Sequence, residues 1–219
     1  VQFESSSFPS YTRFYTFLDK ETIDFNPKLV EVSPTSDGAG SGTSNSSFEI
    51  GETVRAENNQ GQIIGKFRVC KPDHKSGPFN NPTESYRFNP YSYQNDNADI
   101  VPQNYSQTTP ILNIDTLALS DISNINYFGY LDTGFKLVGE NSACEAYVKN
   151  KRLISDEKGD LIGTFFVKNP NFPENKKWNV GTKTFLLTSS PDNATFIPGV
   201  DPNIFAAQVP FTSQGTRLE

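Results

Sequence analysis

Gly51-Glu-Thr-Val-Arg-Ala-Glu-Asn-Asn-Gln-Gly-Gln-Ile63 and Gly134-Phe-Lys-Leu-Val-Gly-Glu-Asn-Ser-Ala-Cys-Glu-Ala146 are the stretches that decide the fold. A shift of 83 residues lays one over the other. Each reads as strand, polar Glu-Asn turn, strand, which is a β-hairpin. Asn and Gly tolerate positive φ in the turn, and the leading Gly opens each first strand where the backbone bends. A hairpin that recurs in this way points to a chain assembled from related β units.

Outward from these stretches the same signal continues. β-branched and aromatic runs occur at Arg13 to Leu18, Lys28 to Val32, Thr53 to Ala56, Ile63 to Val69, Ile111 to Leu117, Phe135 to Val138, Glu145 to Lys149, Leu161 to Val167 and Thr182 to Thr188. Gly, Pro, Asn, Asp and Ser separate them at intervals of roughly 8 to 12 residues, as in sandwiches and barrels. No window of about 12 residues places apolar side chains at helical spacing between good caps. Only 35% of the 219 residues are hydrophobic, but 18 Phe and 9 Tyr are bulky enough to fill β cores. The expected fold is all-β: two related small β-sandwich or barrel-like modules of short antiparallel strands and hairpins.

Two segments read as linkers or loops. Ser33 to Ser47 is almost wholly Ser, Gly, Thr, Asn and Asp, and buries too little apolar surface to offset its ordering entropy. Lys71 to Gln107 carries Pro72, Pro78, Pro82, Pro90 and Pro102, with Pro110 just beyond, and proline at that density keeps regular ladders to sheet edges. The module boundary is therefore placed near Gln107, giving modules 1–107 and 108–219.

Composition narrows the function classes. Nineteen Lys and Arg against 25 Asp and Glu leave a formal charge of -6, which argues against a surface that neutralises nucleic-acid phosphates. No run approaches the roughly 18 to 20 apolar residues of a membrane span. One His and two Cys are too few for a zinc site of Cys and His ligands. Cys70 and Cys144 each fall inside an expected strand, which favours two independent buried thiols over a disulfide. No cofactor is implied.

Several constellations bear on chemistry. Asn95-Asp-Asn-Ala-Asp99 alternates oxygen-bearing side chains as a calcium loop does, but lacks the glycine and the closing glutamate, and reads as an Asx-rich loop. Ser155-Asp-Glu-Lys-Gly-Asp160 reads as a hairpin turn rather than a cation site. Gly38-Ala-Gly-Ser-Gly42 lacks the Lys and the strand-to-helix context of a phosphate loop. His74 has no Ser or Cys partner and reads as a surface residue whose two Lys neighbours disfavour its proton. No catalytic or metal-ligating residue is expected. The candidate ligand-binding residues are Tyr86, Tyr91, Tyr93 and Tyr105, together with Trp178: exposed rings of this kind offer a flat apolar face and a polar edge to a sugar or a partner protein. The competing reading is that Tyr86, Phe88 and Pro90 cover the hydrophobic edge of a β unit, and that Trp178 belongs to the core.

Asn26-Pro-Lys-Leu-Val-Glu-Val32 and Phe48-Glu-Ile-Gly-Glu-Thr-Val54 resemble the start of modules in very long virion structural proteins of contractile-tailed phages that infect marine cyanobacteria. The second half carries more of the pattern, in order: Leu112 to Thr116, Gly129-Tyr130, Gly134 to Gly139, Arg152 to Asp156, Gly159 to Val167 and Gly181 to Ser190. The resemblance implies a non-enzymatic virion component of tail, baseplate or fibre type. Its partners would be other virion proteins and copies of itself, and it would be extracellular when mature. The alternative is a receptor-binding adhesin that recognises host cell-surface glycan. The family supplies no catalytic or binding residues to carry over.

Overall fold

The structure, a computed structural model, describes residues 1–92, 99–168, 171–173, 175–179, 181–194 and 203–213. The chain opens with β1 (Gln2–Ser5), β2 (Arg13–Leu18), β3 (Glu21–Thr22) and β4 (Phe25–Pro27). It continues through β5 (Leu29–Ser33), β6 (Thr53–Glu57), β7 (Ile63–Arg68), β8 (His74–Ser76), β9 (Glu84–Ser85), β10 (Ile111–Asn113), α1 (Thr116–Ser120), β11 (Phe128–Gly129), β12 (Lys136–Gly139) and β13 (Glu145–Asn150). It closes with β14 (Leu153–Ile154), β15 (Leu161–Phe165), β16 (Gly181–Thr188) and β17 (Ala206–Ser213). The all-β expectation holds, with α1 a single turn capped by Asp115, whose carboxylate accepts from the Ala118 N–H at 3.0 Å.

The middle strands form one antiparallel sheet in the order β10-β5-β13-β12-β6-β7-β11. The sheet closes on itself. Val69, just past β7, bridges Ile114, just past β10; the Cys70 N–H donates to the Asn113 carbonyl at 2.8 Å and the Asp115 N–H to the Arg68 carbonyl at 2.9 Å. β5, β13, β12, β6, β7 and β10 thus make a closed barrel, which removes their edges, while β11 covers β7 only at Gly65 and Lys66. Alternate residues point inward, as the pleat dictates: Val148 lies opposite Val32, Leu137 opposite Ala56, Val54 opposite Phe67 and Leu112 opposite Val30. All are buried in one core, where each Val, Leu or Phe side chain contributes about 1.5–3 kcal/mol by leaving water.

The repeat holds in three dimensions. The β6–β7 and β12–β13 hairpins lie side by side, and Arg55 faces Val138, its own repeat equivalent, so a local pseudo-two-fold axis passes between them. The preceding turns match bond for bond. Glu52 N–H donates to the Glu49 carbonyl as Phe135 N–H does to that of Asp132, and Gly51 and Gly134 have φ of 89° and 85°. Phe48 and Leu131, also equivalent, both enter the barrel core.

The two ends of the chain build a second body. A sheet in the order β1-β15-β4 faces one in the order β14-β2-β16-β17, with β3 beside β2. Between them, Phe185 packs 5.1 Å from Phe3 and 4.6 Å from Phe165, with Phe14, Leu18, Leu153, Leu161 and Leu187 around them. This is a sandwich. Its long outer strand β17 is blunted at Pro210. The Thr184 carbonyl accepts from the Asp19 N–H and the Thr184 N–H donates to the Asp19 carboxylate, so its main-chain groups face away from β17, and those of its partner Pro210 face the free edge, where a proline has no N–H to offer.

Three expectations are corrected. The sheets do not part near Gln107: strands from both sides of it share the barrel, and the sandwich takes strands from residues 1–27 and from residue 153 onward. The barrel is inserted into the sandwich, because composition marks loops but not which strands pair. Ser33 to Ser47 is not a loose excursion. Its polar groups are bonded to the barrel, with Gly42 N–H to the Val32 carbonyl, Thr43 N–H to that of Gln107, and Asn45 to Ala143 and Glu145. Finally, the strand expected over Ile111 to Leu117 stops at Asn113, where Asp115 starts α1.

Candidate functional site: the neck between barrel and sandwich

The chain passes from sandwich to barrel at Lys28 and returns at Lys151-Arg152, so two antiparallel crossings lie side by side. Three of the expected ligand-binding tyrosines, Tyr86, Tyr91 and Tyr105, lie at this neck or at the barrel seam, facing inward. The Tyr91 hydroxyl lies 2.8 Å from the Leu29 carbonyl and 2.9 Å from that of Arg152, so one proton is shared between the two crossings. The Tyr86 ring is 6% exposed and packs with Leu29, Val101 and Ile111, and Tyr91 lies against the same cluster. Burial raises the hydroxyl pKa of both tyrosines, for Tyr86 reinforced by the Asp156 and Asp160 carboxylates.

Tyr105 sits at the barrel closure. Asn113 N–H donates to its hydroxyl at 3.0 Å, and the hydroxyl donates to the Cys70 carbonyl at 2.8 Å, so this side chain is inserted into a rung of the β7–β10 seam. Phe48 meets its ring edge-on at 6.3 Å. Of the residues in the edge-covering reading, Tyr86 is buried against Leu29, Val101 and Ile111, whereas Tyr105 lies within a seam and not over an edge. Tyr93 and most of the Asn95–Asp99 loop lie outside the described residues. Trp178 is half-buried against the sandwich core, and the Lys176 ammonium lies 4.6 Å above its ring.

A buried ionic cluster ties the separate β8–β9 ribbon, which the chain forms between barrel strands β7 and β10, to the sandwich. Lys75, on β8, reaches across to the turn between β14 and β15 and binds Asp156 at 2.5 Å and Asp160. The Lys75 and Asp156 side chains are 4% and 1% exposed. Burial opposes the ammonium, but the hydrogen bonds to the two carboxylates outweigh it and raise its pKa above that of an ordinary lysine. Asp156 also accepts from the Lys158 and Asp160 N–H groups, both at 2.9 Å, so the turn is folded around the charge. The Ser155–Asp160 segment is a turn but not the expected hairpin, since β14 and β15 belong to different sheets of the sandwich, and the cation it holds is the chain's own ammonium.

Further buried polar groups fasten the same junction. Asn26 accepts from the Leu131 N–H at 2.9 Å and donates to the Gly129 carbonyl at 3.3 Å, while Lys151 donates to the Leu131 carbonyl at 3.0 Å. Lys28 is 3% exposed and donates to the Ile114 carbonyl at 3.3 Å; burial lowers its pKa. Inside the barrel unit, the Glu52 carboxylate accepts from the Glu49, Asn141 and Ser142 N–H groups and from the Ser142 hydroxyl, joining the two repeat units. Sequence reasoning did not single out Lys75, Asn26 or Glu52, because each partner lies far along the chain and no local spacing signals it.

His74 is not a surface residue. It is 3% exposed, its Nε2 lies 2.9 Å from the Gly77 carbonyl, and its Nδ1 is buried. Burial first, and then the Lys28 charge, lower its pKa, so the neutral ring donates from Nε2. Cys70 and Cys144 are free and buried, with the Cys70 pKa pushed up to about 12 by burial. Among the described residues no group of three or more His, Cys, Asp or Glu could hold a metal ion, and no helix is long and apolar enough to cross a membrane. No protein-family model, curated protein or solved structure matches the chain.

Proposed function

We propose that this chain is a non-enzymatic structural module of a phage virion, of tail, baseplate or fibre type, which works by packing against other virion proteins and against copies of itself. The observation that carries the mechanical part is the neck. A closed barrel is inserted into a sandwich through two adjacent crossings, and the side chains best equipped for chemistry there are spent on fastening them: Tyr91 between the crossings, Lys75 between Asp156 and Asp160, Asn26 and Lys151 on Leu131. The virion part rests on the resemblance of residues 26–219 to modules of long cyanophage structural proteins. Two β bodies held by buried polar ties resist relative motion, which suits a component that transmits load.

The test is to raise an antibody against the folded chain and apply it to intact particles of the phage that encodes it, viewed in negative stain. Decoration of the tail, baseplate or fibres is the expected result. Particles that bind no antibody and yield no peptides of this chain on digestion would sink the virion assignment.

A further inference from the structure

Lys75, Asp156 and Asp160 are placed more closely than an ion pair requires. Lys75 Nζ lies 2.5 Å from Asp156 Oδ2, inside the roughly 2.7–2.9 Å of an ordinary ammonium–carboxylate bond, and it also donates to Asp160 Oδ2. The other Asp156 oxygen, Oδ1, accepts from the main-chain N–H groups of Lys158 and Asp160, both at 2.9 Å. Two main-chain donors converging on one carboxyl oxygen make an oxyanion hole. The Lys75 and Asp156 side chains are buried, and the buried Tyr86 ring lies 5.8 Å from the ammonium. Asp160 is partly exposed, and a groove of about 220 Å³ leads from Lys75 and Asp160 to the surface past Ser76 and Glu84.

We propose that, once the chain has folded, Lys75 and Asp156 condense into an isopeptide bond between Nζ and Cγ, with Asp160 as proton carrier. Burial opposes the Lys75 charge, but the two carboxylates hold the proton there at rest, so the reaction is slow and begins from the charged pair. One ammonium proton passes to Asp156 Oδ2, which leaves a neutral amine beside a neutral acid, a pair that costs less to keep from water than two charges. The amine lone pair attacks Cγ, and the charge that develops on Oδ1 is held by the Lys158 and Asp160 N–H groups. Asp160 takes a proton from the attacking nitrogen and gives it to the departing Oδ2 hydroxyl, which leaves as water through the groove. Ammonium and carboxylate thus become one amide and one water, with Asp160 regained as carboxylate and no further reactant consumed. Fixed in contact, amine and acid meet at an effective concentration of about 10⁵ M or more, which drives condensation against the surrounding water.

Other pairs of the chain lack this set of groups. Lys66–Glu140 and Lys136–Glu145 are each about one-third exposed and join a single carboxylate to the ammonium, so water stabilises both charges and no second acid carries the proton. The Lys75–Asp156 bond joins residues 81 apart in sequence and fastens the β8–β9 ribbon to the sandwich covalently. It also takes residues 75 to 156 out of the path of a tension applied at the two ends of the chain. The bond needs nothing from the virion reading and stands or falls on its own chemistry.

Mass spectrometry of the intact, denatured full chain tests the bond, in a time course after cell-free synthesis and with folding checked by circular dichroism. The wild type is expected to end one water lighter than its sequence mass, and proteolysis to yield a branched peptide that joins the segments holding Lys75 and Asp156. Lys75→Arg keeps the positive charge but forms no such amide, and should retain the full mass. Asp160→Asn keeps the reacting pair and should slow the loss of water about a hundredfold or more. A folded wild type that retains its full mass through prolonged incubation would overturn the proposal. So would a lost water that maps elsewhere, as to a succinimide at Asp37-Gly38, or one lost equally by Lys75→Arg. A folded Asp160→Asn chain that condenses as fast as the wild type would overturn the part given to Asp160.

Discussion

Tyr91 is the residue whose removal reports most directly on the neck. Tyr91→Phe keeps the ring in its cluster but leaves the Leu29 and Arg152 carbonyls without their shared donor. The expected loss is about 1–3 kcal/mol of unfolding free energy, read from urea denaturation. Lys75→Ala is more severe, since it strands Asp156, 1% exposed, without its cation; a loss of about 3–5 kcal/mol is expected, and Lys75→Ala combined with Asp156→Asn should recover part of it. His74 makes stability depend on pH. Its folded pKa lies below the ordinary 6.5, so the unfolded chain binds its proton first on acidification. Its contribution is complete above about pH 6.5 and falls as pH drops from there toward the folded value. Unfolding midpoints measured from pH 8 down to about 5 should show this slope, and His74→Gln, whose amide can still donate to Gly77, should flatten it.

At the scale of elements, the two hairpins offer a matched comparison. Gly51 and Gly134 occupy the same turn position with positive φ, where an L side chain costs about 1–2 kcal/mol. They differ in surroundings. A Cβ on Gly134 meets nothing within 4 Å, whereas one on Gly51 comes within 2.9 Å of the Phe79 ring. Gly134→Ala should therefore show the conformational term alone, and Gly51→Ala that term plus a clash, so the second variant unfolds at lower urea concentration. Equal midpoints would mean that Phe79 yields freely, and the ring contact would then carry no weight. The repeat was legible here because turn chemistry is local: Gly51 and Gly134, with the Glu-Asn turns that follow, announce the hairpins wherever their partners lie. The Glu52 carboxylate that binds one unit to the other was not, since its partners Asn141 and Ser142 lie about one repeat away.

For the whole molecule, insertion determines how force passes. The first and last strands, β1 and β17, both belong to the sandwich, and the barrel hangs from two crossings tied by Tyr91. Tension applied through residues near the two ends must part the sandwich before it reaches the barrel. Single-molecule extension of Lys75→Arg, which cannot form the Lys75–Asp156 bond, should therefore show the sandwich yielding first, followed by a separate release of about 400 Å as Leu29–Asn150 extends. A single event, or the barrel yielding first, would mean that the neck does not isolate the two bodies.

The amino-acid sequence by itself determined the all-β class, the positions of strands such as Arg13–Leu18 and, one residue short at its end, Thr53–Glu57, and the paired hairpins. Those features depend on alternation and turn chemistry acting within about ten residues. Only the tertiary structure decided that Pro27 and Leu153 bracket an inserted barrel, that Tyr105 lies within a seam rather than at a surface, and that Lys75 sits between Asp156 and Asp160. The reason is physical. Antiparallel strands of similar composition can pair in many orders, and the choice among them is made by which buried faces and buried charges are satisfied together across the chain.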